Sequence, residues 1–75
     1  MSCVTVGALY RHFKGGIYRV NDIATHTETG ETLVIYINME TRQVYARPFD
    51  MFVSKVDNVK YPDVTQEFRF EKLFA

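Results

Sequence analysis

Apolar and polar positions alternate along most of this chain with a period of two, the spacing that puts one set of side chains on each face of a β-strand. Ala8 to Phe13 reads as a short strand, with Tyr10 and His12 on one face and Arg11 and Phe13 on the other. It stops at Lys14-Gly15-Gly16, where paired glycines permit positive φ. From Ile17 onward Tyr18, Val20, Ala24 and His26 share one parity and Arg19, Asn21 and Thr25 the other, while Asp22-Ile23 reverses the alternation and predicts a bulge. Thr27 to Gly30 forms a polar loop. Leu33-Val34-Ile35-Tyr36-Ile37 is an unbroken β-branched and aromatic run, expected of a central strand covered on both faces.

Beyond a second polar connection, Met39 to Arg42, the alternation of Gln43 to Arg47 completes another hairpin. Pro48 has no N–H to give to a ladder, so the strand is expected to end there. Phe49-Asp50-Met51-Phe52 spaces its apolar groups as a single helical turn capping the core would. Val53 to Val56 resumes an extended run, Asp57-Asn58 offers a turn and Tyr61-Pro62-Asp63 a bend. The last expected strand is Val64 to Phe70, with Val64, Gln66, Phe68 and Phe70 on one face. Five or six short antiparallel strands with one helical turn make a poor flat sheet at this size, and closure into a small SH3-like barrel would remove the exposed edges. The expectation is a mostly β, single-domain chain over residues 1–75, with residues 1–6 mobile.

Composition narrows the function classes. A hydrophobic content of 47%, with aromatics making up 15% of the chain, excludes a disordered chain and supplies a compact core. Nine basic residues balance nine acidic ones, so there is no long-range field to concentrate the protein on bulk nucleic acid or an anionic membrane, and any anion must be gripped locally. Cys3 is the single cysteine and cannot form an intrachain disulfide, which suits a reducing compartment; the cytoplasm is the expected location. No basic, apolar and small-residue leader pattern is visible, and no apolar stretch approaches the ~20 residues of a membrane span.

The order and spacing of several blocks resemble a known family. They are Gly7, Tyr10-Arg11-His12-Phe13-Lys14-Gly15, Tyr18, Val20, Ala24-Thr25-His26-Thr27-Glu28-Thr29 and Glu31, then Val34, Tyr36, Arg47-Pro48 and Met51-Phe52. In these the chain is similar to domain-of-unknown-function family 1653, small bacterial and phage proteins of about this length. The resemblance implies no agreed activity, cofactor or site residue.

The chemistry-bearing residues fall into three groups. His26-Thr27-Glu28-Thr29-Gly30-Glu31 would gather an imidazole, two carboxylates and two hydroxyls around one hairpin loop; the bland alternative is that its side chains satisfy turn backbone groups. Its His-x-Glu spacing matches zinc deaminases, but no Pro-Cys-x-x-Cys completes that metal site. His12, His26, Glu28 and Asp22 fit no closed zinc spacing, and Lys14-Gly15-Gly16 lacks the length and following helix of a phosphate loop. Tyr10 to Lys14 interleaves aromatics with bases as single-strand binders do, but an edge strand with aromatics inside and Lys14 at the turn is the better reading of the same residues. Arg47, opposite Tyr36 if the hairpin pairs directly, offers a planar fork to phosphate or carboxylate, with an ion pair to Glu31 or Asp50 as its structural alternative.

The functional expectation is a non-catalytic binding module without cofactor or metal. His26, Glu28, Thr29, Glu31, Tyr36 and Arg47 would line a polar rim for a small anionic or nucleotide-like ligand. A module that pairs with a protein partner or with a second copy, at a barrel edge or through Met51-Phe52, is the alternative. A hydrolytic enzyme built on His26, Glu28 and Glu31 is the third.

Overall fold

The computed structural model describes residues 3–74. Five antiparallel strands form one sheet: β1 (Leu9–His12), β2 (Ile17–Thr25), β3 (Thr32–Asn38), β4 (Val44–Pro48) and β5 (Phe70–Phe74), with a one-turn helix α1 (Phe49–Phe52) between the last two. The strand order is β4-β3-β2-β1-β5, so β2 and not β3 is the middle strand. The expected closure into an SH3-like barrel is not seen. β4 and β5 remain the two edges, and α1 with residues 53–69 spans the distance between them. β4 and β5 share no ladder, and Phe52 of the helical turn packs into the core in place of a closing strand pair.

Local chemistry explains the elements. Gly15 and Gly16, at φ of 101° and 92°, turn β1 into β2 with the Gly15 N–H donating to the His12 carbonyl. The predicted bulge is present: pairing of β2 with β3 shifts register between Val20 and Asp22. Asn38 closes the β3–β4 hairpin by accepting the Glu40 and Thr41 N–H groups on its Oδ1, an Asx turn that brings Arg42 to positive φ. β4 ends at Pro48 as expected, and the proline's fixed φ leads into α1.

The inner face carries the core. Ala8, Tyr10, Val20, Val34, Tyr36, Phe52 and Phe70 form one buried cluster. Phe52, 1% exposed, stacks on Phe70 with ring centroids 4.1 Å apart and meets Tyr10 and Tyr36 edge-on at 5.4 Å each. The outer face is not sealed in the same way, since Leu33, Ile35 and Ile37 of β3 are only half-buried. The two-sided burial expected of that run is therefore not reached.

The C-terminal third departs most from the sequence pattern. Val64 to Arg69 is not a strand; β5 starts at Phe70 and pairs with β1 through His12↔Phe70 and Arg11↔Glu71. Gln66 explains the difference. Its side-chain amide donates to the carbonyls of Arg11 and Phe68 at 3.0 and 2.8 Å, which replaces ladder pairing with a bend and leaves Phe68 exposed. Val53 to Val56 contributes only an isolated bridge, Lys55 to Phe68. β1 is consequently an interior strand, not an edge. Of the segment expected to be mobile, Met1 and Ser2 lie outside the described residues, while the Thr5 N–H donates to the Tyr10 hydroxyl at 2.9 Å and Val4 packs on the core.

Candidate functional site

The six residues expected to line one rim are divided by the fold. Tyr36 and Arg47 come together: Tyr36 pairs with Tyr45 rather than with Arg47, but the diagonal placement lets the Arg47 Nε donate to the Tyr36 hydroxyl at 3.0 Å. Neither ion pair considered for Arg47 forms among the described residues; its guanidinium instead lies 5.8 Å from the centre of the Phe70 ring.

His26, Glu28, Thr29 and Glu31 stay at the tip of the β2–β3 hairpin. The His26 Nδ1 accepts the N–H groups of Glu28 and Thr29 at 3.1 and 3.3 Å, and the Thr29 hydroxyl accepts from the Glu31 N–H at 3.2 Å. Those polar atoms hold the turn. Arg47 pairs with Val34, about 10 Å along the strand from Glu31, and Glu31 lines a different depression with Pro48, Phe49 and Asp50.

Arg47 belongs to another constellation. The inner side of β1 and β4 and the 53–69 segment enclose a cavity of about 380 Å³ lined by His12, Phe13, Lys14, Arg47, Lys55, Val56, Asp57, Lys60, Tyr61 and Arg69. Five cationic side chains face one carboxylate there, and the Asp57 Oδ1 is engaged in its own turn, accepting from the Val59 and Lys60 N–H groups. The chain is neutral overall, yet this cup is strongly positive.

The cations are held by aromatic faces and neutral acceptors. Lys14 Nζ sits 5.2 Å from the Tyr61 ring centre, Lys60 Nζ 5.5 Å from the same ring, and the Arg69 guanidinium 5.9 Å from Phe13. Arg69 Nε also donates to the Ser54 hydroxyl at 3.1 Å. Among the described residues the one ion pair is Lys55–Glu67 at 3.8 Å, between exposed side chains. Ring quadrupoles position a cation without cancelling its charge, so the charge remains available to an anion.

His12 reports on that field. Burial, then Arg47, Arg69 and Lys14, hold its pKa down from 6.5 to about 4. Its Nδ1 accepts the Lys14 N–H at 3.1 Å, so the neutral ring carries its proton on Nε2 and is a donor there. The Tyr61 phenol is likewise shifted down, first by its hydrogen bond with Lys14. On the far side of His12 and Arg47 a second depression of about 230 Å³ is walled by Tyr18, Tyr36, Tyr45 and Phe70.

The sequence offers His12 and Lys14 as part of an aromatic and basic strand, with His12 also as a metal ligand and Lys14 in a glycine turn too short for a phosphate loop, and gives no sign of Arg69, Lys55 or Lys60. Alternation puts His12 on the same face as Tyr10, which lies in the core. Nothing in the sequence indicated that the bend at Gln66 would fold the later cations back over β1.

A groove of about 270 Å³ between the N-terminal segment, α1 and β5 is lined mostly by apolar groups, including Val4, Phe52, Phe68 and Phe70, and lacks convergent donors. Among the described residues no three His, Cys, Asp or Glu side chains are placed to hold a metal ion, and no helix is long and apolar enough to cross a membrane.

No curated protein and no solved structure matches the chain. One family model does, described as a protein of unknown function (DUF1653), and it covers residues 8–72, which takes in strands β1 to β4, α1 and every residue of the cationic cup. The chain belongs to the DUF1653 family.

Proposed function

We propose that the protein is a non-catalytic binding module for a small anionic ligand, seated in the cup formed by His12, Lys14, Arg47 and Arg69. The observation that carries this reading is the local surplus of positive charge: five cationic side chains surround a cavity of about 380 Å³, and among the described residues only Lys55 of these is ion-paired, to Glu67. Bringing like charges together on folding costs free energy, and an anion would recover it. The neutral His12 supports the same reading, since an Nε2–H donor adds a hydrogen bond to an oxyanion without a further charge. Arg47 supplies the planar fork; its Nε is held by Tyr36, which leaves the terminal nitrogens for a ligand.

Isothermal titration with inorganic phosphate and pyrophosphate tests it. Binding at sub-millimolar concentration is expected, with Arg47→Gln weakening it roughly tenfold or more, as loss of a charged hydrogen-bond donor does. Absence of heat and of thermal stabilisation by either anion at millimolar concentration refutes the proposal.

A second reading, association with another copy or with a protein strand, is favoured by the two sheet edges. β4 presents exposed Val44 and Tyr45, and β5 presents Phe74 at 62% exposure. Of the Met51-Phe52 pair only Met51 is exposed for a partner, because Phe52 lies in the core. Light scattering that returns the mass of one chain at high concentration would refute self-association.

A further inference from the structure

We propose that the ligand is a mononucleotide-sized molecule whose planar ring enters the aromatic depression while its phosphate occupies the cationic cup. The inference rests on the anion-site reading above and adds to it the identity of the uncharged half. His12 and Arg47 line both cavities and so form the wall they share. A ligand crossing that wall meets two different chemistries: Lys14, Arg47 and Arg69 on one side, and Tyr18, Tyr36, Tyr45 and Phe70 on the other.

The aromatic side is arranged as a platform. Tyr36 is buried and Tyr45 stacks on it with ring centroids 5.7 Å apart at 30°, while Tyr18 approaches Tyr36 and Tyr45 edge-on at 5.5 and 6.4 Å. Tyr45 itself is 43% exposed, on an edge strand, close to the polar turn residues Thr41 to Gln43 that lead into β4. A half-exposed tyrosine that lines a depression and is steadied by stacking on a second tyrosine is suited to stack a planar ring.

Size and charge choose a free nucleotide over a nucleic-acid strand. The depression, at about 230 Å³, suits one ring, and with the adjoining cup of about 380 Å³ the space falls within the range of small-molecule sites, about 300–1,000 Å³. A strand would be tracked by a basic stripe, whereas this neutral chain confines its surplus to one cup.

The test is calorimetric titration of the whole chain with inorganic phosphate, ribose 5-phosphate, the four nucleoside 5′-monophosphates, the corresponding nucleosides and a single-stranded octanucleotide. At least one monophosphate is expected to bind tenfold or more tightly than both ribose 5-phosphate and phosphate. Tyr45→Ala should weaken that monophosphate about fivefold or more and leave phosphate unchanged, while Tyr45→Phe keeps the platform and the affinity. Equal affinity for ribose 5-phosphate and all monophosphates overturns the ring subsite but leaves the anion site standing. Failure of every phosphate-bearing probe overturns both. An octanucleotide that binds tighter than the best monophosphate by more than its number of residues overturns the free-nucleotide assignment in favour of a strand.

Discussion

Protonation of His12 gives the most direct access to the cup. Charging the ring has three costs: it is half-buried, it stands in the field of Arg47, Arg69 and Lys14, and protonating Nδ1 would break the bond from the Lys14 N–H. The other charged and titratable groups around the same cavity are Lys55, Asp57, Lys60 and Tyr61, of which only Asp57 favours the imidazolium. The folded ring is therefore expected to titrate at about 4 where an ordinary histidine titrates at 6.5.

An anion in the cup reverses part of this. One negative charge about 6 Å away in an effective dielectric of ~20 contributes on the order of 3 kcal/mol, about two pH units, and screening at ~0.15 M salt leaves about one. Two-dimensional NMR of the His12 Cε1–H group against pH, assigned with His12→Asn, should give a midpoint near 4 in chloride and about 5 or above in saturating phosphate. A midpoint near 6.5 without phosphate would refute the argument about burial and cations, and a midpoint unmoved by phosphate would place the anion elsewhere. The same groups couple to folding. Above pH 6.5 the ring is neutral in both states and contributes no pH dependence; as pH falls toward 4 the unfolded chain takes up a proton that the folded chain resists, so stability declines and then levels off. The full gap corresponds to at most about 3 kcal/mol, and solvent access to the ring reduces it to about 1–2. Urea midpoints of the wild type and of His12→Asn across this range should converge at low pH.

Three further outcomes follow from the fold. Phe52→Ala removes the ring that joins Phe70, Tyr10 and Tyr36, and at about 3–5 kcal/mol its loss should leave a chain of this size largely unfolded by circular dichroism. Gly16→Ala puts a Cβ 3.2 Å from Tyr18 Cε1 at a φ of 92°, so the urea midpoint should fall by an amount equivalent to more than about 1 kcal/mol; an unchanged midpoint would mean that the turn and Tyr18 relax together. Tyr36→Phe deletes the acceptor of the Arg47 Nε and should cost about 1–2 kcal/mol in denaturation while weakening phosphate binding severalfold, and retention of both would show that Arg47 positions itself without it.

The chain's alternation and turn chemistry by themselves indicated a mostly β fold of hairpins, a bulge near Asp22 and one helical turn at Phe49–Phe52. These are local properties: positive φ at paired glycines, polar turn residues and period-two patterning act over a few residues and read the same in sequence as in space. Only the tertiary structure decided that the sheet stays open, that β1 is interior, and that Phe70, not Val64, begins the last strand. One amide, Gln66, tips that choice by bonding carbonyls 55 residues away in the chain and nearby, a preference no alternation pattern contains. The candidate site divides the same way. Arg47 was singled out by its chemistry beside Tyr36, but its companions are His12, Lys14 and Arg69 and not the 26–31 loop, because strand register fixes which side chains meet across a sheet and register is set by long-range packing.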